Sequence, residues 1–82
     1  MTNAGYEIIA RCGHTVEDYS EGVALGVADK PYIGKEWVTW EYTERPDEPI
    51  SYYWGHYIHD EQEARKDYYN RATNQLRRLS ND

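Results

Sequence analysis

Two runs of aromatic and β-branched residues, separated by a loop with two prolines, constrain this fold more than any other feature of the chain. The runs span residues 36–43 and 50–58, and apolar and polar side chains alternate along the first of them. This composition is typical of β-strands. Pro46 and Pro49 end regular strand pairing between the runs, because proline has no backbone N–H to donate. The sequence therefore predicts a β-hairpin that carries large rings on both faces.

Two further strands are predicted, at residues 6–12 and 23–28. The second alternates larger apolar residues with alanine and glycine, so another element can approach its small face closely. Alternation in the first strand predicts that four residues share one face: Tyr6, Ile8, Ala10 and Cys12. Residues 13–22 are polar and contain glycines, which indicates a loop.

The C-terminal segment, residues 60–79, has the pattern of an amphipathic helix. Asp60 suits the N-cap, and Glu63 has the spacing of a capping box. The predicted buried stripe consists of Ala64, Tyr68, Ala72, Leu76 and Leu79. The sequence thus predicts one α+β domain over residues 1–82. In it, a small antiparallel sheet of three to four strands packs against one C-terminal helix.

Charge is unevenly distributed along the chain, whose net charge is −6. Residues 17–63 contain twelve acids and three bases, whereas residues 64–82 contain five bases and two acids. The acidic middle disfavours direct binding to nucleic acid, which depends on neutralising phosphates. It favours a protein partner with a basic surface.

The aromatic residues are nine Tyr and three Trp, with no Phe. Tyr and Trp have a polar atom and favour half-buried positions and interfaces. They are compatible with a thin core that uses amphipathic rings, and also with an aromatic binding face. Aromatic strands beside a basic helix also resemble stacking platforms for single-stranded nucleic acid.

Catalytic and cofactor motifs are not recognisable in the sequence, so we expect a protein that is not an enzyme and needs no cofactor. The sequence has neither a nucleophile-elbow pattern nor a phosphate-binding loop. Two close pairs, Cys12 with His14 and His56 with His59, are weak candidates for zinc ligands. Their spacings differ from the common ones, which favours an ordinary thiol and ordinary imidazoles and predicts no metal site.

The cellular compartment follows from what the sequence lacks. A single cysteine suits a reducing environment, and no apolar run approaches the roughly 18 residues of a membrane span. Residues 1–5 lack the basic start of a signal peptide. We therefore expect a cytoplasmic protein that does not enter membranes. We also expect it to be a monomer or a homodimer.

Three segments together resemble a known but uncharacterised family. They are the V-T-W strand at residues 37–42, the W-G-H-Y strand at residues 53–57, and the E-A and D-Y-Y helix segment at residues 63–71. This pattern is similar to that of small proteins encoded by phages, plasmids and other mobile elements of gut bacteria. The resemblance covers roughly residues 23–71. It implies a role inside the host bacterial cell, although the family has no established activity to transfer.

The function expected from these observations is that of a non-enzymatic protein-binding accessory factor of a mobile element. The resemblance implies an anti-defence role, such as that of an anti-CRISPR protein, in which an acidic, aromatic surface inhibits a host defence complex. The predicted partner-binding residues are Glu41, Glu44, Asp47, Glu48, Tyr52 and Tyr53. The alternatives are a single-stranded nucleic-acid-binding module and a small self-assembling structural protein.

Overall fold

A computed structural model describes residues 1–80, and these form one sheet and one helix. The strands are β1 (Thr2–Asn3), β2 (Tyr6–Val16), β3 (Tyr19–Lys30), β4 (Gly34–Glu44) and β5 (Ser51–Ile58), and the helix is α1 (Glu61–Ser80). The strands pair antiparallel in chain order and curl into a half-barrel. The predicted α+β class and C-terminal helix are confirmed. The predicted number of three to four strands is wrong, since the described residues form five.

The segment predicted as a loop, residues 13–22, is instead the tip of a long hairpin. Strands β2 and β3 continue through it and are joined by Glu17 and Asp18, with Glu17 at a φ of 55°. Position 22 requires glycine because atoms of β2 and the Tyr42 ring approach its backbone closely, not because the chain turns there. A Cβ atom there would lie 2.3 Å from the carbonyl oxygen of Cys12. In residues 13–22, glycine therefore reflects the close packing of paired strands and not a loop.

A β-bulge in β2 changes which side chains face the helix. Ile8 pairs with Gly26 and Ala10 pairs with Leu25, which leaves Ile9 as an extra residue. Since successive side chains point to opposite faces, one extra residue reverses the faces beyond it. The prediction that Tyr6, Ile8, Ala10 and Cys12 share one face is therefore wrong. Tyr6 and Ile8 pack in one cluster, whereas Ala10 packs in the other.

A second bulge lies in β5, at Trp54. Thr39 pairs with His56 and Glu41 pairs with Tyr53, so β5 has one residue more than β4 over this stretch. Trp54 has a φ of 56°, which is unusual for a bulky residue. The bulge places Tyr53 and His56 on the same face of the sheet.

The sheet has a core on each face. On the helix face, strand residues pack against α1, and the buried members are Val23, Leu25, Trp37, Ala64, Tyr68 and Ala72. We call the other side the aromatic face, and its buried members are Tyr6, Ala24, Val38, Trp40 and Tyr42. A Cβ atom on Gly26 would lie 2.9 Å from the Trp40 ring. This confirms the prediction that the small face of β3 allows a close approach.

The helix begins where its capping signal predicts. The Asp60 carboxylate accepts a hydrogen bond of 3.2 Å from the backbone N–H of Gln62, and so satisfies one donor that the helix itself leaves free.

The buried stripe of the helix differs from the prediction in its second half. Ala64, Tyr68 and Ala72 are buried as expected. Gln75 is buried next, while Leu76 is exposed. The side chain of Leu79 lies outside the described part of the structure. The helix therefore packs Gln75 against the sheet at the level where the sequence predicted Leu76.

Candidate interaction surface

Two turns at one end of the sheet bring five acidic side chains together. The β2–β3 turn and the β4–β5 loop lie next to each other because Ser20 of β3 pairs with Glu44 of β4. A shallow cavity of about 450 Å³ lies between them. We call this region the acidic end, and its acids are Glu17, Asp18, Glu44, Asp47 and Glu48. Arg45 is the one base among the residues that line this cavity, so the region is strongly negative.

Short contacts hold the β4–β5 loop in place at the acidic end. The guanidinium of Arg45 lies 4.5 Å from the centre of the Tyr19 ring, a cation–π contact that ties the loop to β3. The backbone N–H of Glu48 donates to the carbonyl of Arg45 at 3.3 Å. Glu44 pairs with Arg11 at 3.5 Å. The exposed Asp47 and Glu48 therefore project from a loop that is fixed by its contacts to neighbouring residues.

The four predicted partner-binding acids fall into two groups in the structure. Glu44, Asp47 and Glu48 lie together at the acidic end. Glu41 lies on the helix face, where its carboxylate pairs with Arg71 at 3.4 Å and its side chain is 16% exposed. The negative charge of Glu41 is therefore balanced by Arg71 within the protein.

The two predicted tyrosine anchors lie on opposite faces of β5. The Tyr52 ring packs on the aromatic face, 5.4 Å from the Trp40 ring and 6.2 Å from the Tyr42 ring. The Tyr53 hydroxyl lies 2.9 Å from the hydroxyl of Thr43. Both tyrosines are half-buried, so neither is a freely projecting anchor.

Glu17 and Asp18 belong to the acidic end but are absent from the predicted partner-binding set. Their acidity is visible in the sequence, but their place beside the β4–β5 loop depends on the pairing of β3 with β4. A hairpin predicted over residues 13–22 would have placed Glu17 and Asp18 at this end of the sheet.

A polar seam joins α1 to the centre of β4. The buried hydroxyl of Thr39 donates to the Asp67 carboxylate at 2.5 Å. The same carboxylate oxygen lies 2.9 Å from Nδ1 of His56. Arg71 donates to both the carbonyl and the hydroxyl oxygen of Thr39, each at 3.0 Å. These bonds position the helix along the sheet.

The order of contacts in the seam differs from that of a nucleophile–histidine–carboxylate triad. In such a triad the hydroxyl contacts the histidine, whereas here the Thr39 hydroxyl contacts Asp67 directly. Thr39 is also fully buried. Among the described residues, every buried side-chain nitrogen and oxygen has a hydrogen-bond partner, as expected of a structural network.

Two carboxylates are stabilised in their ionised form. Burial of Asp67 opposes ionisation, but hydrogen bonds from Thr39 and His56 and nearby positive charge hold the pKa of its carboxyl below the ordinary value. A hydrogen bond from Tyr6 and another with His59, at 2.8 Å, lower the pKa of Glu36. Burial, with Glu36 beside the phenol, raises the pKa of Tyr6 to about 12.

Acid is expected to destabilise the fold through these two groups. Their folded pKa values lie below those of the unfolded chain, so their stabilisation is complete above about pH 5 and is lost as pH falls through the folded pKa values. Asp67→Asn should therefore reduce the drop in melting temperature between about pH 5 and pH 2.5. Asp47→Asn removes an exposed acid and serves as the control. Equal drops in the two variants would contradict this assignment.

The weak zinc candidates lie on separate strands with separate partners. Cys12 and His14 are on β2, and His14 lies 3.0 Å from Glu21. His56 and His59 lie at β5 and just beyond it, each beside its own carboxylate. Within residues 1–80, no group of three or more His, Cys, Asp or Glu side chains is arranged to hold a metal ion.

No protein-family model matches this chain, and no curated protein or solved structure is significantly similar to it. Within residues 1–80, the helix is not apolar enough to cross a membrane.

Proposed function

We propose that this chain is a non-enzymatic protein-binding factor that docks a basic protein surface through its acidic end. The observation that carries the proposal is the convergence of two turns, which presents Glu17, Asp18, Asp47 and Glu48 as exposed charges. A concentrated negative field attracts a basic partner and accelerates association with it. The contacts that fix the β4–β5 loop reduce the entropy that its acids lose on binding.

Charge reversal at the acidic end tests this proposal. Asp18→Lys combined with Glu48→Lys changes one acid in each turn and avoids Glu17 and Asp47, whose positive φ values would penalise lysine. We expect the double variant to lose its protein partner in affinity capture from nuclease-treated bacterial lysate. The loss should exceed about tenfold, because two favourable charge pairs become repulsive.

The matched control reverses two exposed acids at the opposite end of the sheet, Glu7→Lys with Asp29→Lys. This variant has the same net charge as the test variant. It should retain the partner if the location of the acids matters. Equal loss in the two variants would show that only net charge matters and would contradict docking through the acidic end.

The family resemblance supports a narrower form of the proposal, in which the partner is a host defence complex and the chain acts in the cytoplasm of a host bacterium. An acidic surface can cover the basic groove in which such a complex binds nucleic acid. Expression of the chain in a strain whose CRISPR system destroys a targeted plasmid is expected to restore transformation. The variant with Asp18→Lys and Glu48→Lys should not restore it. Failure of the unaltered chain to protect the plasmid would contradict inhibition of that defence system.

A further inference from the structure

Trp54 combines two features that folding alone does not favour. Its backbone lies at a φ of 56°, a conformation that bulky residues rarely adopt. Its side chain is 67% exposed, whereas Trp37 and Trp40 are 9% and 4% exposed. Bulges that re-aim a side chain are common near functional sites, and strained residues cluster there. The position of Trp54 therefore points to a ligand.

A neighbouring ring supports the Trp54 indole. The Tyr53 and Trp54 rings are 5.0 Å apart and meet edge to face at 88°. Tyr53 is itself anchored, because its hydroxyl lies 2.9 Å from that of Thr43. The exposed indole thus rests against a fixed neighbour and can offer its flat face to solvent.

A cationic cleft lies on the same side of the sheet as Tyr53. Glu41, which pairs with Tyr53 across the strands, lines a cleft of about 470 Å³ with Arg71, Asn74, Arg77 and Arg78. Three guanidinium groups thus face one carboxylate. That carboxylate is already bound by Arg71 at 3.4 Å and by Gln75 at 3.1 Å. Arg78 also lies 3.7 Å from that carboxylate. Because one carboxylate balances only one of the three guanidinium charges, the cleft keeps positive charge for an external anion.

We infer that Trp54 and this cleft bind single-stranded nucleic acid, with a base stacked on the indole and phosphates held by Arg77 and Arg78. Base stacking on aromatic rings beside basic side chains is the general mode of such binding. The strand that carries Trp54, β5, contains no acidic residue. An acidic peptide would satisfy the guanidinium groups, but it would leave the exposed indole unexplained. This surface differs from the acidic end, so the inference does not depend on the proposed protein partner.

Tryptophan fluorescence provides a direct readout of this site, because Trp54 is the exposed tryptophan and the other two are buried. Titration with an oligothymidylate of about 12 nucleotides at low salt is expected to quench the emission of Trp54. The anisotropy of the labelled oligonucleotide gives the affinity, which should fall as salt is raised. Absence of both quenching and binding would overturn the inference.

A matched pair of substitutions tests the stacking role. Trp54→Asn removes the ring and keeps a residue that tolerates positive φ, and it should weaken oligothymidylate binding by about tenfold or more. Tyr32→Asn is the control, since Tyr32 is also exposed and lies at a φ of 72°, but in the β3–β4 turn. It should leave affinity unchanged. Equal losses in the two variants would overturn the role of Trp54.

A second pair tests the cleft. Arg77→Gln should weaken binding and reduce its salt dependence, whereas Arg65→Gln, which removes a charge paired with Glu61 at the other end of the helix, should change the affinity less. Poly-glutamate serves as the competing probe. If it binds the cleft as tightly as oligothymidylate does and is insensitive to Trp54→Asn, the site is one for acidic peptides and the inference is wrong.

Discussion

Trp40→Ala is expected to lower the free energy of unfolding by about 3–5 kcal/mol, which is the usual cost of deleting a buried tryptophan ring. The ring is buried at the centre of the aromatic face. It meets Tyr6 edge to face, with centroids 5.8 Å apart, and lies 5.4 Å from the Tyr52 ring. It also fills the space above Gly26. Because small domains have total stabilities of about 5–15 kcal/mol, the variant should lose a large share of its folded population.

Urea unfolding monitored by far-UV circular dichroism measures this effect, with Trp54→Ala as the matched control. The same ring is deleted there from an exposed position, so the expected loss is below about 1 kcal/mol. Equal losses at the two positions would contradict the assignment of Trp40 to the core.

Arg71→Met is expected to cost about 2–4 kcal/mol, since removing one partner of a buried polar network leaves the others unsatisfied. The Arg71 side chain is 11% exposed. It donates to Thr39 twice and to Glu41 once. Methionine preserves much of the volume, so the loss reports mainly on the hydrogen bonds and the charge.

Two comparisons separate these contributions. Arg71→Lys keeps the charge but replaces the planar fork with a single ammonium group, and should cost about 1–2 kcal/mol. Arg65→Met removes an exposed pair with Glu61 and should cost less than about 0.5 kcal/mol. Urea unfolding of all three variants gives the order. A loss at Arg65 as large as that at Arg71 would contradict the structural role of the polar seam.

The helix and the aromatic hairpin could be predicted from the sequence because local signals define them. Asp60 marks the helix start, and Pro46 and Pro49 interrupt the two aromatic runs. Each signal acts within a few residues of the element that it defines, so no tertiary information is needed.

The β2–β3 hairpin and the bulges could not be predicted because their causes are distant in sequence. Gly22 resembles a loop glycine, yet it is small because the Tyr42 ring and β2 approach it. The bulges at Ile9 and Trp54 depend on strand register, and each reverses the faces of the residues beyond it. The alternation of apolar and polar residues along a strand does not reveal such a register shift.

The candidate site was predictable only where its residues are close in sequence. Glu44, Asp47 and Glu48 fall within one loop, so their proximity is visible in the chain. Glu17 and Asp18 join them through the pairing of β3 with β4. The apolar pattern of the helix predicted that Leu76 is buried, but Gln75 is buried instead. Its side chain donates to the carbonyl oxygen of Gly22 at 3.3 Å, so a polar acceptor on the sheet outweighs the apolar pattern.

The strand order has a consequence for how the chain acquires its structure. Each strand of the sheet pairs only with its neighbours in sequence, so every pairing closes a short loop and costs little chain entropy. Hairpin connections of this kind cost less loop-closure entropy than long crossover connections, which favours faster strand pairing. On the ribosome, the hairpins can form in the order in which they emerge. The helix follows all five strands in the chain, so we expect it to dock on strands that are already paired, with the Thr39–Asp67 bond joining it to β4.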